Sequence, residues 1–275
     1  MKKITEEIYS RIDNEFYDGG SEMWWELDSP LSLMKSSVNP LRVGYTKRVL
    51  DKLRIDPRGK TALEVGCGGG VLTEEIARMG FVTTGIDPSV SSLTVASRHA
   101  RLNSLSIRYE KGTGEDIPHA DNSSDFVFCC DTLEHVRDVS RTISEISRVL
   151  KPGGLFFYDT LNRTWYSRLV AIKIAQEWKR WAFMPPRLHV WEMFIKPSEL
   201  ITLLRHNNLE WREHCGIEPA VSILRILHYL RKRVKGELTY RDVGNRLPLV
   251  ESNNTNIMYI GYAMKPESAF YPRHV

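Results

Sequence analysis

The chain has 275 residues, 42% of them hydrophobic and 26% charged, which is enough to bury one good core near the upper end of single-domain size. Its net charge is only +4, it has no run of about 18 apolar residues, and its opening Met-Lys-Lys-Ile-Thr-Glu-Glu has no apolar stretch of signal-peptide length. These features argue against a membrane-spanning or exported protein and predict a cytoplasmic one, with Cys67, Cys129, Cys130 and Cys215 as free thiols that lack metal-ligand spacing.

Residues 1–58 read as a helical cap that ends in the turn Asp56-Pro57-Arg58-Gly59, and 59–275 as the main domain. From there strand-like and helix-like runs alternate: a strand at 62–65, a helix at 72–79, a strand at 82–86, a helix at 91–103 and a strand at 107–111. A strand at 126–130 and a helix at 139–150 follow, then a stop at Lys151-Pro152-Gly153-Gly154 and a strand at 155–158. Alternation at this spacing predicts an α/β, Rossmann-like, doubly wound and mostly parallel sheet, with ligands at the carboxyl ends of its strands. Two helical insertions, at about 163–195 and 217–250, break the rhythm, and 199–207 with 256–264 supplies a last helix and strand.

The stretch Thr61-Ala62-Leu63-Glu64-Val65-Gly66-Cys67-Gly68-Gly69-Gly70 turns an apolar strand directly into glycines at the start of a helix. Such a turn lets a ligand lie against bare backbone beneath helix N–H groups. A dinucleotide fingerprint needs a further glycine at position 71, which is Val71, so the spacing does not fit NAD. An acidic residue two before the first glycine, with glycines two and four after it, instead resembles class I S-adenosylmethionine (SAM) methyltransferases. On that reading Glu64, Gly66 and Gly68 belong to the cofactor cradle. Asp87, directly after the second strand, suits the two ribose hydroxyls, and Asp116, with Glu115 as fallback, suits the adenine amino group.

Methyl transfer needs an acceptor atom held near attack distance and relieved of its proton. The candidates follow the fourth strand in Cys130-Asp131-Thr132-Leu133-Glu134-His135. Two carboxylates and an imidazole within one turn, Asp131, Glu134 and His135, could hold Mg²⁺ or another divalent ion, and either His135 or Glu134 could act as general base. A helix start, with Asp131 as N-cap and Glu134 three residues in, accounts for the same spacing without chemistry.

The elements Glu15-Phe16-Tyr17, Trp24-Trp25, Asn39-Pro40-Leu41-Arg42, Leu133-Glu134-His135-Val136, Thr160-Leu161-Asn162-Arg163 and Phe194-Ile195-Lys196-Pro197 together resemble the ubiquinone-biosynthesis O-methyltransferases. The resemblance covers about residues 12–210. It implies a seven-stranded class I methyltransferase sheet and O-methylation of a ring hydroxyl on a (poly)prenylated catechol or phenol. It implies SAM contacts at Arg42, Gly66, Asp87 and Cys130, with Arg42 on the methionine carboxylate, and a metal set on Asp131, Glu134 and His135. The chain departs from the family in carrying Asp at 131, where Glu is usual, and in the length of 217–250. His189 keeps the histidine of a family loop and is a candidate substrate-side residue.

Positive charge is concentrated in two segments. Residues 163–187 carry Arg163, Arg168, Lys173, Lys179, Arg180 and Arg187 against Glu177, and 225–246 carry seven Lys or Arg against Glu237 and Asp242. Each is net +5, which leaves the remainder at −6. Ile223, Ile226, Leu227, Leu230 and Val234 recur at helical spacing, so basic residues flank an apolar stripe as in an interfacial helix. The sequence therefore predicts a lipophilic small-molecule acceptor and peripheral docking on an anionic membrane's inner face. No motif for flipped bases is present, and no nucleic acid is expected. The competing readings are a methyltransferase of another lipid, aromatic or sugar acceptor, and a non-catalytic SAM-fold protein that binds membrane or a partner.

Overall fold

A computed structural model describes residues 4–267 apart from 20 and 179–181. Eight strands form one sheet: β1 Thr61–Val65, β2 Val82–Asp87, β3 Ile107–Lys111, β4 Ser124–Cys130, β5 Leu150–Leu161, β6 Glu210–Pro219, β7 Leu249–Ser252 and β8 Met258–Met264. Their order is β3-β2-β1-β4-β5-β8-β6-β7. The first five are parallel, while β8 runs antiparallel to both β5 and β6, and β7 antiparallel to β6. The chain order reverses between β1 and β4, so the carboxyl ends of β1, β2 and β4 open a crevice there.

The two-residue period of the strands divides the core between two faces. Leu63 and Val65 of β1 and Val127 and Cys129 of β4 point to one side. There they meet Ile143 and Ile146 of the helix Val139–Val149, and Leu200 and Leu204 of the helix Pro197–His206. Ala62, Phe126, Phe128 and Cys130 point to the other, against Leu72 and Ile76 of the helix Val71–Arg78. The same side buries Leu41, Tyr45 and Val49 of the helix Asn39–Leu53, so the helical cap shares the core of the main domain.

Two expectations need correction. The sheet has eight strands rather than seven, because the edge strand β7 comes from the insertion at 217–250. β6 has no clear period-2 signal because most of its residues are half-buried near that edge. Lys151 to Gly154, read as a stop, belongs to β5, where Gly153 takes φ +79°. The insertion at 163–195 carries a helix at Trp165–Ser167 that runs into a π-helix, Arg168–Glu177. The one at 217–250 carries the helices Ile223–Val234 and Tyr240–Arg246.

Candidate active site

The glycine turn closes the carboxyl end of β1. Gly66 takes φ +74° and a Cβ there would overlap the Thr132 side chain; Gly68 takes φ +50° and its Cβ would overlap the indole of Trp24. Both positions therefore require glycine for conformation and for space. Asp87 ends β2 and is buried, with Oδ2 accepting from the Gly68 N–H and Oδ1 from the Ser89 N–H, each at 2.9 Å. Burial pushes its carboxyl up to about 6, partly offset by those two N–H groups. Glu64 is buried one strand over and accepts from the Thr73 hydroxyl. Burial raises it to about 8.

The N-terminal segment lies directly over this loop. Trp24 donates its indole N–H to Ser92 Oγ at 3.0 Å, and Trp25 donates to the Gly69 carbonyl at 2.9 Å. Tyr17 stacks on Trp24 at 5.6 Å and meets the ring of His135 edge-on at 5.7 Å. Asn14 reaches the same histidine with its side-chain oxygen, 3.1 Å from Nδ1. The sequence marked Tyr17 and the tryptophan pair only as family markers and Asn14 not at all. Apart from the Tyr17–Trp24 stack, these contacts join residues separated by 44 to 121 positions, and no local pattern reports them.

The residues after β4 do not assemble as expected. Asp131 takes φ +47°, which turns its carboxylate onto Arg42 Nη2 at 2.5 Å. Arg42 is buried and donates from Nε and Nη2 to both oxygens of Asp159 at 2.7 Å, and from Nη1 to Asn39 at 3.1 Å. Burial opposes ionisation of Asp131, but the Arg42 guanidinium prevails and holds that carboxyl below the usual range. Arg42 lines the cavity, yet of its five N–H groups only a second on Nη1 is left for a cofactor carboxylate.

Glu134 is buried away from the cavity, with Oε2 accepting from the Thr160 hydroxyl at 2.8 Å and Oε1 without a protein partner. Burial, then repulsion from Asp131, raises it to about 8. Glu134, read from the sequence as a catalytic candidate, thus faces Thr160 and not the cavity. The metal set is corrected: Asp131 is spent on Arg42, Glu134 faces Thr160 and His135 faces Asn14. Among the described residues no group of three His, Cys, Asp or Glu side chains could hold a metal ion, so the donors do not fit Mg²⁺. The helix-start reading of Asp131 fails as well, because the helix begins at Val139 with Asp138 as its cap.

A cavity of about 1010 Å³ gathers what remains, at the top of the roughly 300–1,000 Å³ usual for ligand pockets. Glu64, Gly66, Gly68, Asp87, Cys130, His135 and His189 all line it. Asp116 does not; it is exposed, and Glu115, the fallback, lines the cavity instead while accepting from the Arg137 and Asp138 N–H groups. The His135 and His189 rings lie 5.3 Å apart. Burial pushes His135 down to about 3 and His189 to about 4, so both are neutral imidazoles at physiological pH.

Much of the apolar wall comes from the two insertions, and Leu31, Leu33, Met34 and Val38 of the N-terminal segment add to it. Val170, Ala171, Ile174 and Ala175 of the π-helix line it, and the wider π winding puts these i, i+1, i+4 and i+5 positions on one side. Ile223, Ile226, Leu227 and Leu230 line it too, so the stripe read as a membrane face serves first as a cavity wall. Part of the stripe stays open, with Ile223 62%, Leu227 39% and Val234 57% exposed. Much of the basic charge is internally engaged. Arg163 pairs with Glu199, Lys173 with Glu177 and Arg233 with Asp28, while Arg187 donates to the Ser10 and Arg11 carbonyls. Lys179 and Arg180 lie outside the described residues.

Residues 63–158 match the family model described as a methyltransferase domain. The chain is 34% identical over 227 residues to a ubiquinone biosynthesis O-methyltransferase of Rhizobium etli, covering 78% of this chain and 89% of the relative. It is 38% identical over 195 residues to another of Hahella chejuensis, covering 70% and 79%. A SAM-dependent methyltransferase structure from Thermotoga maritima aligns with a TM-score of 0.56 at 18% identity, over 94% of this chain and 98% of that one, a likeness of fold.

Proposed function

This chain belongs to the family of ubiquinone biosynthesis O-methyltransferases, and on that premise we propose that it methylates a ring hydroxyl of a prenylated catechol or phenol on the route to a quinone. The observation that carries the acceptor assignment is the shared cavity, in which the cradle residues Gly66, Gly68 and Asp87 meet an apolar wall from both insertions. When bound, SAM supplies an electrophilic methyl group that ends on the ring oxygen while its sulfur keeps the bonding electrons. Asp87 would accept from the ribose hydroxyls, the turn at Gly66 and Gly68 would offer bare backbone, and Cys130 and Glu115 would complete the rim. The remaining Nη1 N–H of Arg42 and the carboxyl of Glu64, both on the cavity wall, would hold the methionine end.

His135 is assigned to receive the acceptor's proton; its neutral imidazole on the cavity wall, directly after β4, supports that role. Asp131 favours the imidazolium that then forms, and His189 opposes it. Each methylene-sized group of a prenyl tail removed from water against the Val170–Ile174 and Ile223–Leu230 walls contributes about 0.8 kcal/mol. The test is a pair of initial-rate series on a catechol with and without one prenyl tail. A lower KM for the prenylated acceptor supports the reading, and equal KM values sink it.

Two further parts of the reading concern place and partner. Exposed Trp165, Trp178, Ile223 and Leu224, together with exposed Arg225 and Arg231, support docking on an anionic lipid surface, from which a tailed acceptor would enter the cavity. No helix among the described residues is long and apolar enough to cross a membrane.

A further inference from the structure

Asn14 stands 121 positions before His135, is half-buried, lines the cavity and holds that histidine by two bonds. Its Nδ2 lies 3.3 Å from the main-chain carbonyl of His135 and 3.3 Å from the Tyr9 hydroxyl. A carbonyl oxygen can only accept, so the amide nitrogen must occupy this end of the side chain. The other end, Oδ1, is then an oxygen that can only accept, and it lies 3.1 Å from His135 Nδ1. That contact is a hydrogen bond only if Nδ1 carries the ring proton. A neutral imidazole has one N–H, so Nε2 is left with a lone pair, and no hydrogen bond of Nε2 is recorded among the described residues.

We propose that Asn14 is a positioning residue that fixes His135 as the Nδ1–H tautomer, so that Nε2 is the ring's proton-accepting atom in the cavity. The proposal rests on His135 being the base of the methyl transfer described above. Free imidazole side chains favour the opposite tautomer, with the proton on Nε2, which would present a donor where the reaction needs an acceptor. The surroundings leave the choice to Asn14. Tyr17 meets the ring edge-on at 5.7 Å, His189 packs at 5.3 Å, and Asp131, the nearby charge, is paired with Arg42. Tyr9 and the Arg137 guanidinium stacked on it at 4.4 Å support Asn14 from behind.

The test combines nitrogen NMR of the histidine side chains with steady-state kinetics on the full chain, using SAM and a prenylated catechol. The His135 signals are assigned by their loss in His135→Gln. The wild type should show a protonated Nδ1 and an unprotonated Nε2. Asn14→Leu, which keeps the size and removes the acceptor, should shift the proton to Nε2 and lower kcat about ten-fold or more, with KM and SAM affinity within about two-fold. Asn14→Asp, which keeps an accepting oxygen, should retain the Nδ1–H form and recover most of kcat. A wild-type ring protonated on Nε2 overturns the proposal, and so does an Asn14→Leu variant with unchanged tautomer and kcat. If Asn14→Leu does not fold, the wild-type spectrum and the Asn14→Asp variant still decide. A protein with the Nδ1–H ring and no methyl transfer would sink the functional reading while leaving the tautomer assignment intact.

Discussion

At the residue level, chemistry in this site is set by how deeply each carboxyl is buried and what it faces. In its proposed role as acceptor from two ribose hydroxyls, Asp87, raised to about 6 by burial, must be ionised. SAM binding therefore favours the deprotonated form and releases a proton at lower pH. SAM affinity should be flat above about pH 7 and fall by up to ten-fold per unit well below pH 6, an acid dependence that Asp87→Asn should remove at the cost of weak binding throughout. Calorimetry across that range reads both effects. Glu134 behaves differently because it faces Thr160 rather than the cavity. Its folded-state pKa near 8 lies above the ordinary value, so its contribution to stability is full at low pH and is lost as pH rises from about 4.5 to 8. Glu134→Gln cannot ionise; it should keep turnover within about three-fold and gain melting temperature over the wild type as pH climbs through that window. A collapse of kcat with SAM affinity intact would restore Glu134 to the catalytic machinery.

The elements differ in how far the sequence disclosed them. β1, β2 and β4 were legible because their period and their glycine or acidic termini are local features, and Asp87 was legible with them. Asp131, Glu134 and His135 lie near one another but do not converge as three donors, although spacings of three and one suggest a single helical turn. The left-handed backbone at Asp131 instead sends its carboxylate to Arg42 and lets Glu134 fall inward. The helix Ile223–Val234 was legible as amphipathic, but its apolar stripe could not reveal whether lipid or a cavity would cover it. Leu230 is buried at 8% exposure against the cavity, so Leu230→Asp places a charge where the proposed tail lies. That change should raise KM for a long-tailed catechol about ten-fold or more and leave KM for the unprenylated ring within about two-fold, as read from paired initial rates. An equal rise for both acceptors would mean that the helix merely supports the fold.

For the whole molecule, the glycine turn, imidazole pair and apolar wall belong to one cavity, and its lining residue Ile223 is itself 62% exposed. Arg233 is engaged with Asp28 and stacks on Tyr240 at 4.1 Å, so charge reversal there would disturb the fold. The exposed Arg225 and Arg231 are the cleaner probes. The wild type should float with phosphatidylglycerol vesicles at low salt, and Arg225→Glu with Arg231→Glu and Leu224→Ser should not. Wild-type protein that stays at the bottom contradicts membrane docking without touching the chemistry. The chemistry has its own most direct measurement: incubation with SAM isotopically labelled in the methyl group and a prenylated catechol, followed by NMR of the purified product. The predicted result is label in an aryl methyl ether, formed in step with S-adenosylhomocysteine and strongly reduced in His135→Gln. Label on ring carbon, or no labelled product from a protein that binds SAM, would contradict the assignment as an O-methyltransferase of that acceptor.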